Sequence, residues 1–116
     1  PWSTLADRLR QAGFSGGEIL AQDRWVGGNL LHQFPGSTAN VPELPRFPAL
    51  VASPRLIVWD ATRREAIPAA LQERLRQTLA VEPNGLTPSF LSAPCRFAAH
   101  RQMRLGYLLL PPAASP

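Results

Sequence analysis

Lysine is absent from this chain of 116 residues, and all 12 of its basic residues are arginines. Against 8 acidic residues they give a formal net charge of +4. Because the arginines are spread along the sequence and form no dense block, their pattern does not favour nucleic-acid binding. Two explanations of the arginine bias stay open. One is the codon usage of a GC-rich genome, and the other is contact with phosphates or anionic lipid head groups, which guanidinium binds in bidentate geometry.

Cysteine and long apolar runs are also scarce. Cys95 is the single cysteine, so no disulfide can form within the chain, and cysteine usage leaves the compartment open. The apolar run 105–110 is far shorter than the roughly 18–20 residues that cross a bilayer. No basic-then-apolar leader is recognisable. The sequence starts at Pro1 and not at a methionine, which fits an excised fragment, a processed chain or a chain without its leading residues. Of these, we expect a module cut from a larger protein.

The reactive side chains form no convincing catalytic or metal-binding pattern. His32 and His100 are isolated, and no paired spacing of Cys or His indicates zinc. Cys95 lies in an apolar segment and is interpreted as a packed thiol. The dinucleotide fingerprint and the lysine-containing phosphate loop are both absent. We therefore assign no catalytic residue, no metal and no cofactor, and expect the isolated chain not to be an enzyme.

Apolar residues make up 45% of the chain, which is enough for the core of a single domain. Their periodicity predicts helices and strands in alternation. The helices are expected at 4–12, with Ser3 as its N-cap, at 24–33, and at 68–79, with Glu73, Arg74, Arg76 and Gln77 on the wetter side. The strands are expected at 18–22, 38–43, 56–59, 90–98 and 103–110. The proline-rich stretch 44–55 is predicted to be a long connection, with one short turn at 48–51.

This order of elements predicts the fold class. The strand–helix–strand unit near the start implies parallel strands with a right-handed crossover. The last two strands, joined by a polar turn at 100–102, imply an antiparallel hairpin at one edge. We predict a Rossmann-like α/β unit, three-layered or partly two-layered, with a mixed sheet of about five strands. Residues 1–110 form the single domain, and 111–116 a flexible tail.

Two of the predicted strands are followed by an aspartate, Asp23 and Asp60. In a parallel sheet both carboxylates lie at the carboxyl edge, where open α/β sheets bind ligands. Such a pair is suited to acid–base work or to a ligand site. The alternative is that each aspartate caps a following helix by accepting its free N–H groups, which explains both residues at least as well.

The residues after Asp23 complete the candidate ligand site. Gly27 and Gly28 lie inside a predicted helix, where a pair of glycines costs about 1–2 kcal/mol relative to alanines. Close packing on the sheet explains them better than approach to a phosphate. Trp25 is placed to line the carboxyl edge, although partial burial is an equally ordinary role for it. Trp2 would suit a membrane interface if the first helix follows a membrane span.

The run from Gly17 to Leu30, followed by Phe34-Pro35-Gly36, resembles the soluble C-terminal region of bacterial GT-C type membrane glycosyltransferases. These are related to dolichyl-phosphate-mannose–protein mannosyltransferases and lipid A aminoarabinose transferases. In that region a strand, an acidic residue, an aromatic residue, small residues and Asn/Gln-Leu follow the last membrane helix. A later apolar strand like 56–60 also recurs. The similarity covers residues 5–60.

The resemblance implies a domain at the periplasmic face of the bacterial inner membrane, in an enzyme that uses a polyprenyl-phosphate sugar donor. The family's catalytic acidic residues lie in loops between early membrane helices, so none is carried over to this chain. The implied partners are the membrane portion of the same polypeptide and anionic lipid or polyprenyl-phosphate head groups. The alternative is a domain that binds a nucleotide or sugar at Asp23, Trp25, Gly27, Gly28 and Asp60.

Overall fold

A computed structural model describes residues 1–44, 54–79, 82–95 and 97–110. The elements are α1 (Trp2–Gln11), β1 (Glu18–Ala21), α2 (Arg24–Gln33), β2 (Thr38–Asn40), β3 (Arg55–Asp60), α3 (Ala69–Leu79), a 3-10 turn at Pro83–Gly85, β4 (Ser89–Cys95) and β5 (Ala98–Leu110). The strands form one mixed sheet in the order β2-β1-β3-β5-β4. The predicted α/β class and five-stranded mixed sheet are therefore confirmed, while the Rossmann-like assignment stays a prediction.

Strand direction divides the sheet into two halves. β2 and β3 flank β1 and run parallel to it. β5 pairs antiparallel with β3, and β4 pairs antiparallel with β5. The register places Asp60 opposite Leu105, so residues 98–104 of β5 continue past the carboxyl end of β3. This extension carries polar side chains over the edge at which β1 and β3 end.

Helices cover both faces of the sheet. Successive residues of each inner strand point to opposite faces, and both sets are buried. Ile19 and Val58 face one side and pack with the apolar residues of α1 and α2. Leu20 and Trp59 face the other side and pack with Leu71 and its neighbours on α3. Each inner strand thus needs apolar residues at consecutive positions, as expected for strands buried on both faces.

Several sequence expectations are corrected at the element boundaries. Ser3 lies inside α1, whose N-cap is Pro1 without a side-chain hydrogen bond, so the predicted cap is wrong. β2 ends at Asn40 and not at residue 43. The polar residues 100–102 belong to β5, which already begins at Ala98, so the predicted turn is wrong there. The predicted turn at 48–51 and the tail at 111–116 lie outside the described residues.

Arg74 is also placed differently from the prediction. It was expected on the solvent side of α3, but only 8% of it is exposed. Its guanidinium donates to Oδ1 of Asn40 at 3.2 Å and to the carbonyl oxygens of Pro42 and Leu44 at 3.2 and 2.6 Å. A buried cation needs such acceptors, because without them desolvation is costly. Arg74 therefore ties α3 to the chain that leaves β2.

Candidate functional site

The carboxyl ends of β1 and β3 are joined by the side chain of Gln22. Its Oε1 accepts a hydrogen bond from the backbone N–H of Asp60 at 2.7 Å. Its Nε2 donates to Oδ2 of Asp23 at 2.9 Å. The oxygen and the nitrogen of the Gln22 side-chain amide thus each have a partner. The bond to Asp60 sets the spacing of the ends of β1 and β3. The two aspartates stand out in the sequence as strand-end residues, whereas nothing in the sequence marks Gln22 as the bridge between the strand ends.

Asp23 acts as the N-cap of α2. Its Oδ1 accepts from the backbone N–H of Val26 at 3.0 Å, while Oδ2 is occupied by Gln22. Its backbone is extended, as the N-cap position requires. The capping interpretation is therefore confirmed for Asp23, and this carboxylate does not line the pocket described below.

Asp60 is not a helix cap. Its Oδ1 accepts from the backbone N–H of Thr62 at 2.9 Å, two residues on, which forms a local turn. The next helix begins only at Ala69, so the capping alternative is wrong at this position. Asp60 lies on the wall of the pocket, and no hydrogen bond within the described residues occupies its Oδ2.

Gly27 and Gly28 have different surroundings, although they are adjacent in α2. A Cβ on Gly27 would lie 3.1 Å from Cγ1 of Val41 and 3.4 Å from Cβ of Ala21. Gly27 therefore lets α2 pack closely on β1, as the packing explanation predicted. A Cβ on Gly28 would meet nothing within 4 Å, so packing does not explain that glycine. Neither residue lines the pocket.

A pocket with a volume of about 800 Å³ lies at the carboxyl edge of β1 and β3. Polar strand ends, aromatic rings, arginines and the extension of β5 surround it. Its walls are Pro1, Trp2, Gln22, Trp25, Asp60, Thr62, Arg63, Arg64, Cys95, Arg101, Gln102 and Met103. Of the five predicted ligand-binding residues, the structure brings Trp25 and Asp60 together in this pocket and leaves Asp23, Gly27 and Gly28 outside its wall.

Trp2 and Trp25 form the aromatic wall. Their ring centroids are 5.2 Å apart and their planes meet at 81°, an edge-to-face arrangement. Such pairs are worth about 0.5–1.5 kcal/mol beyond the area they bury. Trp25 is nevertheless 55% exposed, although the side chain is large and apolar. An exposed indole held in place by a second indole is a ready surface for a ligand ring.

Arg63 and Arg64 enter the pocket from the loop after β3, which is held at both ends. On one side, the hydroxyl of Thr62 accepts from the backbone N–H of Arg104 at 3.1 Å. On the other side, the backbone carbonyl of Glu65 accepts from the indole Nε1 of Trp59 at 3.0 Å. The carboxylate of Glu65 also accepts from the guanidinium of Arg104 at 2.5 Å. The arginine pair is therefore carried by an anchored loop.

The three arginines of the pocket lack the ion pairs that four other described arginines form. Arg10, Arg24, Arg76 and Arg104 each form an ion pair with a nearby carboxylate. Arg63, Arg64 and Arg101 form none within the described part of the chain. The positive charge of the pocket is thus left available to an anion. The adjacent Arg63-Arg64 after a predicted strand was a visible signal for this cluster, whereas the arrival of Arg101 depends on long-range pairing.

Ser15 lies in the spacing G-x-S-x-G, from Gly13 to Gly17. A nucleophile elbow places such a serine on a strand-to-helix turn. Here the segment joins the end of α1 to the start of β1, which is the opposite order. Ser15 is therefore not a nucleophile elbow, and it does not line the pocket.

Within the described residues, no group of three His, Cys, Asp or Glu side chains is arranged to hold a metal ion. No helix in the same part of the chain is long and apolar enough to cross a bilayer. Comparison with family models, curated proteins and solved structures finds no significant match to this chain.

Proposed function

We propose that this chain is an accessory, non-catalytic domain of a membrane-embedded glycosyltransferase that uses a polyprenyl-phosphate sugar donor. The domain assists recognition of an acceptor or a partner at the periplasmic face of the bacterial inner membrane. Its working surface is the pocket at the carboxyl edge of β1 and β3. The sugar transfer itself belongs to the membrane portion of the same polypeptide.

The observation that carries this proposal is where the family-like segment folds. The run from Gly17 to Leu30 builds β1, the polar strand end and most of α2. It supplies Gln22 and Trp25 to the pocket wall, and Asp23 to the cap that positions the helix beside it. The run that carries the resemblance therefore reaches the pocket wall at Gln22 and Trp25.

Pro1 and Trp2 support a position of the pocket next to the membrane portion. Both residues line the pocket although they belong to the start of α1. In the proposed parent enzyme, the chain from the last membrane helix arrives at this point, so the pocket lies next to the membrane portion. Indole rings are favoured at membrane interfaces, and arginines near the surface are attracted to anionic lipid phosphates. Trp2, Trp25 and the three unpaired arginines suit that position.

The reading frame of the natural gene tests the proposal first. We expect many hydrophobic spans upstream of the segment that starts at Pro1, and a short frame without such spans would contradict the proposal. A second test removes the domain from the full-length protein and measures sugar transfer in membranes. Transfer is expected to fall while the membrane portion stays inserted, and unchanged transfer would contradict an accessory role.

A second candidate, a domain that binds a nucleotide or sugar on its own, is favoured by the pocket's mixed lining of indoles, arginines and a carboxylate. Thermal unfolding with nucleotides, sugar nucleotides and sugars separates the two. A ligand present at 100 times its dissociation constant adds about 2.7 kcal/mol to the free energy of unfolding. A shift together with a short soluble reading frame favours this second candidate, and no shift with any ligand counts against it.

A further inference from the structure

We propose that the pocket binds a phosphorylated sugar, with the phosphate among Arg63, Arg64 and Arg101 and the sugar ring against the indoles of Trp2 and Trp25. This inference rests on the proposed function, because it names the ligand class of the same pocket. The ligand chemistry is shared by a free sugar phosphate and by the head group of a lipid-linked sugar.

Charge is the first argument for a phosphate. Among its lining side chains the pocket has the guanidinium groups of Arg63, Arg64 and Arg101 and the single carboxylate of Asp60. The three arginines form no ion pair within the described residues, so no carboxylate has to be displaced. Guanidinium groups match the geometry of phosphate oxygens through paired N–H donors. The surplus positive charge complements the negative charge of a phosphate ester.

Preorganisation is the second argument. The loop carrying Arg63 and Arg64 is held at Thr62 by Arg104 and at Glu65 by Trp59. Arg101 stands on the extension of β5, directly before Gln102, which pairs with Pro94 of β4. All three cations therefore start from ordered backbone. Less conformational entropy is lost when the ligand binds than would be lost from a mobile loop.

The remaining wall accounts for the sugar. Trp25 offers an exposed indole face, held by its contact with Trp2, on which the C–H face of a sugar ring can pack. Asp60 contributes a carboxylate oxygen without a partner in the described residues, and a carboxylate only accepts hydrogen bonds. Sugar hydroxyl groups are suitable donors to it. Met103 adds an apolar side chain to the lining.

Tryptophan fluorescence titration of the chain at low salt tests the proposal, with glucose 1-phosphate, methyl glucoside and inorganic phosphate as probes. We expect glucose 1-phosphate to bind more tightly than either of the other two. The variant R63Q/R64Q/R101Q is expected to lose about tenfold or more in affinity. The matched control R8Q/R10Q/R76Q removes the same number of charges at exposed arginines outside the pocket, and should bind like the unchanged chain.

Trp25→Ala tests the ring contact separately from the phosphate contact. It should weaken the binding of glucose 1-phosphate and leave the affinity for inorganic phosphate unchanged. Equal losses in the pocket variant and in the charge-matched control would overturn the site, because they would show non-specific attraction only. Tighter binding of uridine monophosphate than of glucose 1-phosphate would overturn the assignment to a sugar.

The source of the ligand is resolved by a parallel arm with vesicles. Neutral vesicles are compared with vesicles that contain a polyprenyl-phosphate sugar, using the same variants. Arginine-dependent binding to the lipid alone, to the free sugar phosphate alone, or to both supports the proposal, and binding to neither overturns it. If the chain binds neither ligand but its natural gene encodes many membrane spans, the ligand class is refuted and the accessory role stands.

Discussion

The side chain of Gln22 accepts a hydrogen bond from the backbone N–H of Asp60, 38 residues further along the chain. The bond joins the end of β1 to the end of β3 at 2.7 Å. One wall of the pocket continues from β1 into Trp25, and the other continues from β3 into the arginine loop. The bond helps to set the distance between these two walls. This contact adds to the backbone pairing of β1 with β3, which already holds the two strands in register.

Gln22→Ala should destabilise the fold by about 1–2 kcal/mol. The substitution leaves the N–H of Asp60 without its partner at a partly buried position, and an unsatisfied donor carries a desolvation penalty. Urea denaturation followed by circular dichroism measures the loss. Gln11→Ala, at the exposed end of α1, serves as the control and should change the free energy of unfolding by less than about 0.5 kcal/mol. Equal effects of the two substitutions would refute the bridging role.

Gly106→Ala should be strongly destabilising, at about 1–3 kcal/mol or more. A Cβ at Gly106 would lie 2.4 Å from two carbons of the buried Trp59 indole. The indole cannot yield freely, because its Nε1 is bonded to the carbonyl of Glu65 in the arginine loop. Gly28→Ala is the matched comparison, since its Cβ meets nothing within 4 Å. That substitution should stabilise by up to about 1 kcal/mol through helix propensity.

Thermal unfolding of the two alanine variants checks this pair of expectations. The melting temperature should fall for Gly106→Ala and rise or stay level for Gly28→Ala. If Gly106→Ala melted at the temperature of the unchanged chain, the close approach of strand β5 to the Trp59 ring would be wrong.

Arg74→Leu should cost about 2–3 kcal/mol of stability. It removes a buried guanidinium that serves three acceptors, and hydrogen bonds to charged groups are worth more than neutral ones. Arg76→Leu, two positions along the same helix, removes an exposed arginine paired with Glu82 and should cost less than about 1 kcal/mol. Guanidinium chloride denaturation of both variants measures the difference. Similar losses would show that Arg74 contributes no more than a surface ion pair.

Asp23→Ala should destabilise the chain by about 1 kcal/mol, because α2 loses the side chain that caps its first turn. Asp23→Ser should restore part of the loss, because serine also caps helices well and places no N–H donor opposite Nε2 of Gln22. Chemical denaturation compares the three chains. If serine were no better than alanine, the cap would not be the source of the stability.

Local signals made parts of the fold predictable. α2 begins and ends where the sequence indicates, because Asp23 caps it and Pro35-Gly36 stops it. β1 and β3 were recognisable since strands covered on both faces read as continuous apolar runs. The predicted α/β class follows from these elements and their order.

Features that depend on long-range contacts were not predictable in the same way. Arg74 lies between apolar positions of α3, and acceptors at the end of β2 and in the chain after it make its burial favourable. Residues 100–102 have a polar sequence typical of a turn, yet they belong to β5, which pairs with β4 at Ala98 and again at Gln102. The residues of the pocket divide in the same way. Trp25 and Asp60 were foreseeable from the strand ends, whereas Arg101 and Met103 reach the site only through the register of β5.

Sugar transfer by membranes that contain the natural-length protein tests the central claim most directly. At equal protein abundance, R63Q/R64Q/R101Q should lower the transfer rate about tenfold, which corresponds to about 1.4 kcal/mol of lost stabilisation. The charge-matched R8Q/R10Q/R76Q, on surfaces outside the pocket, should keep the rate within about twofold of the unchanged protein. Equal rates for both variants and the unchanged protein would contradict the account.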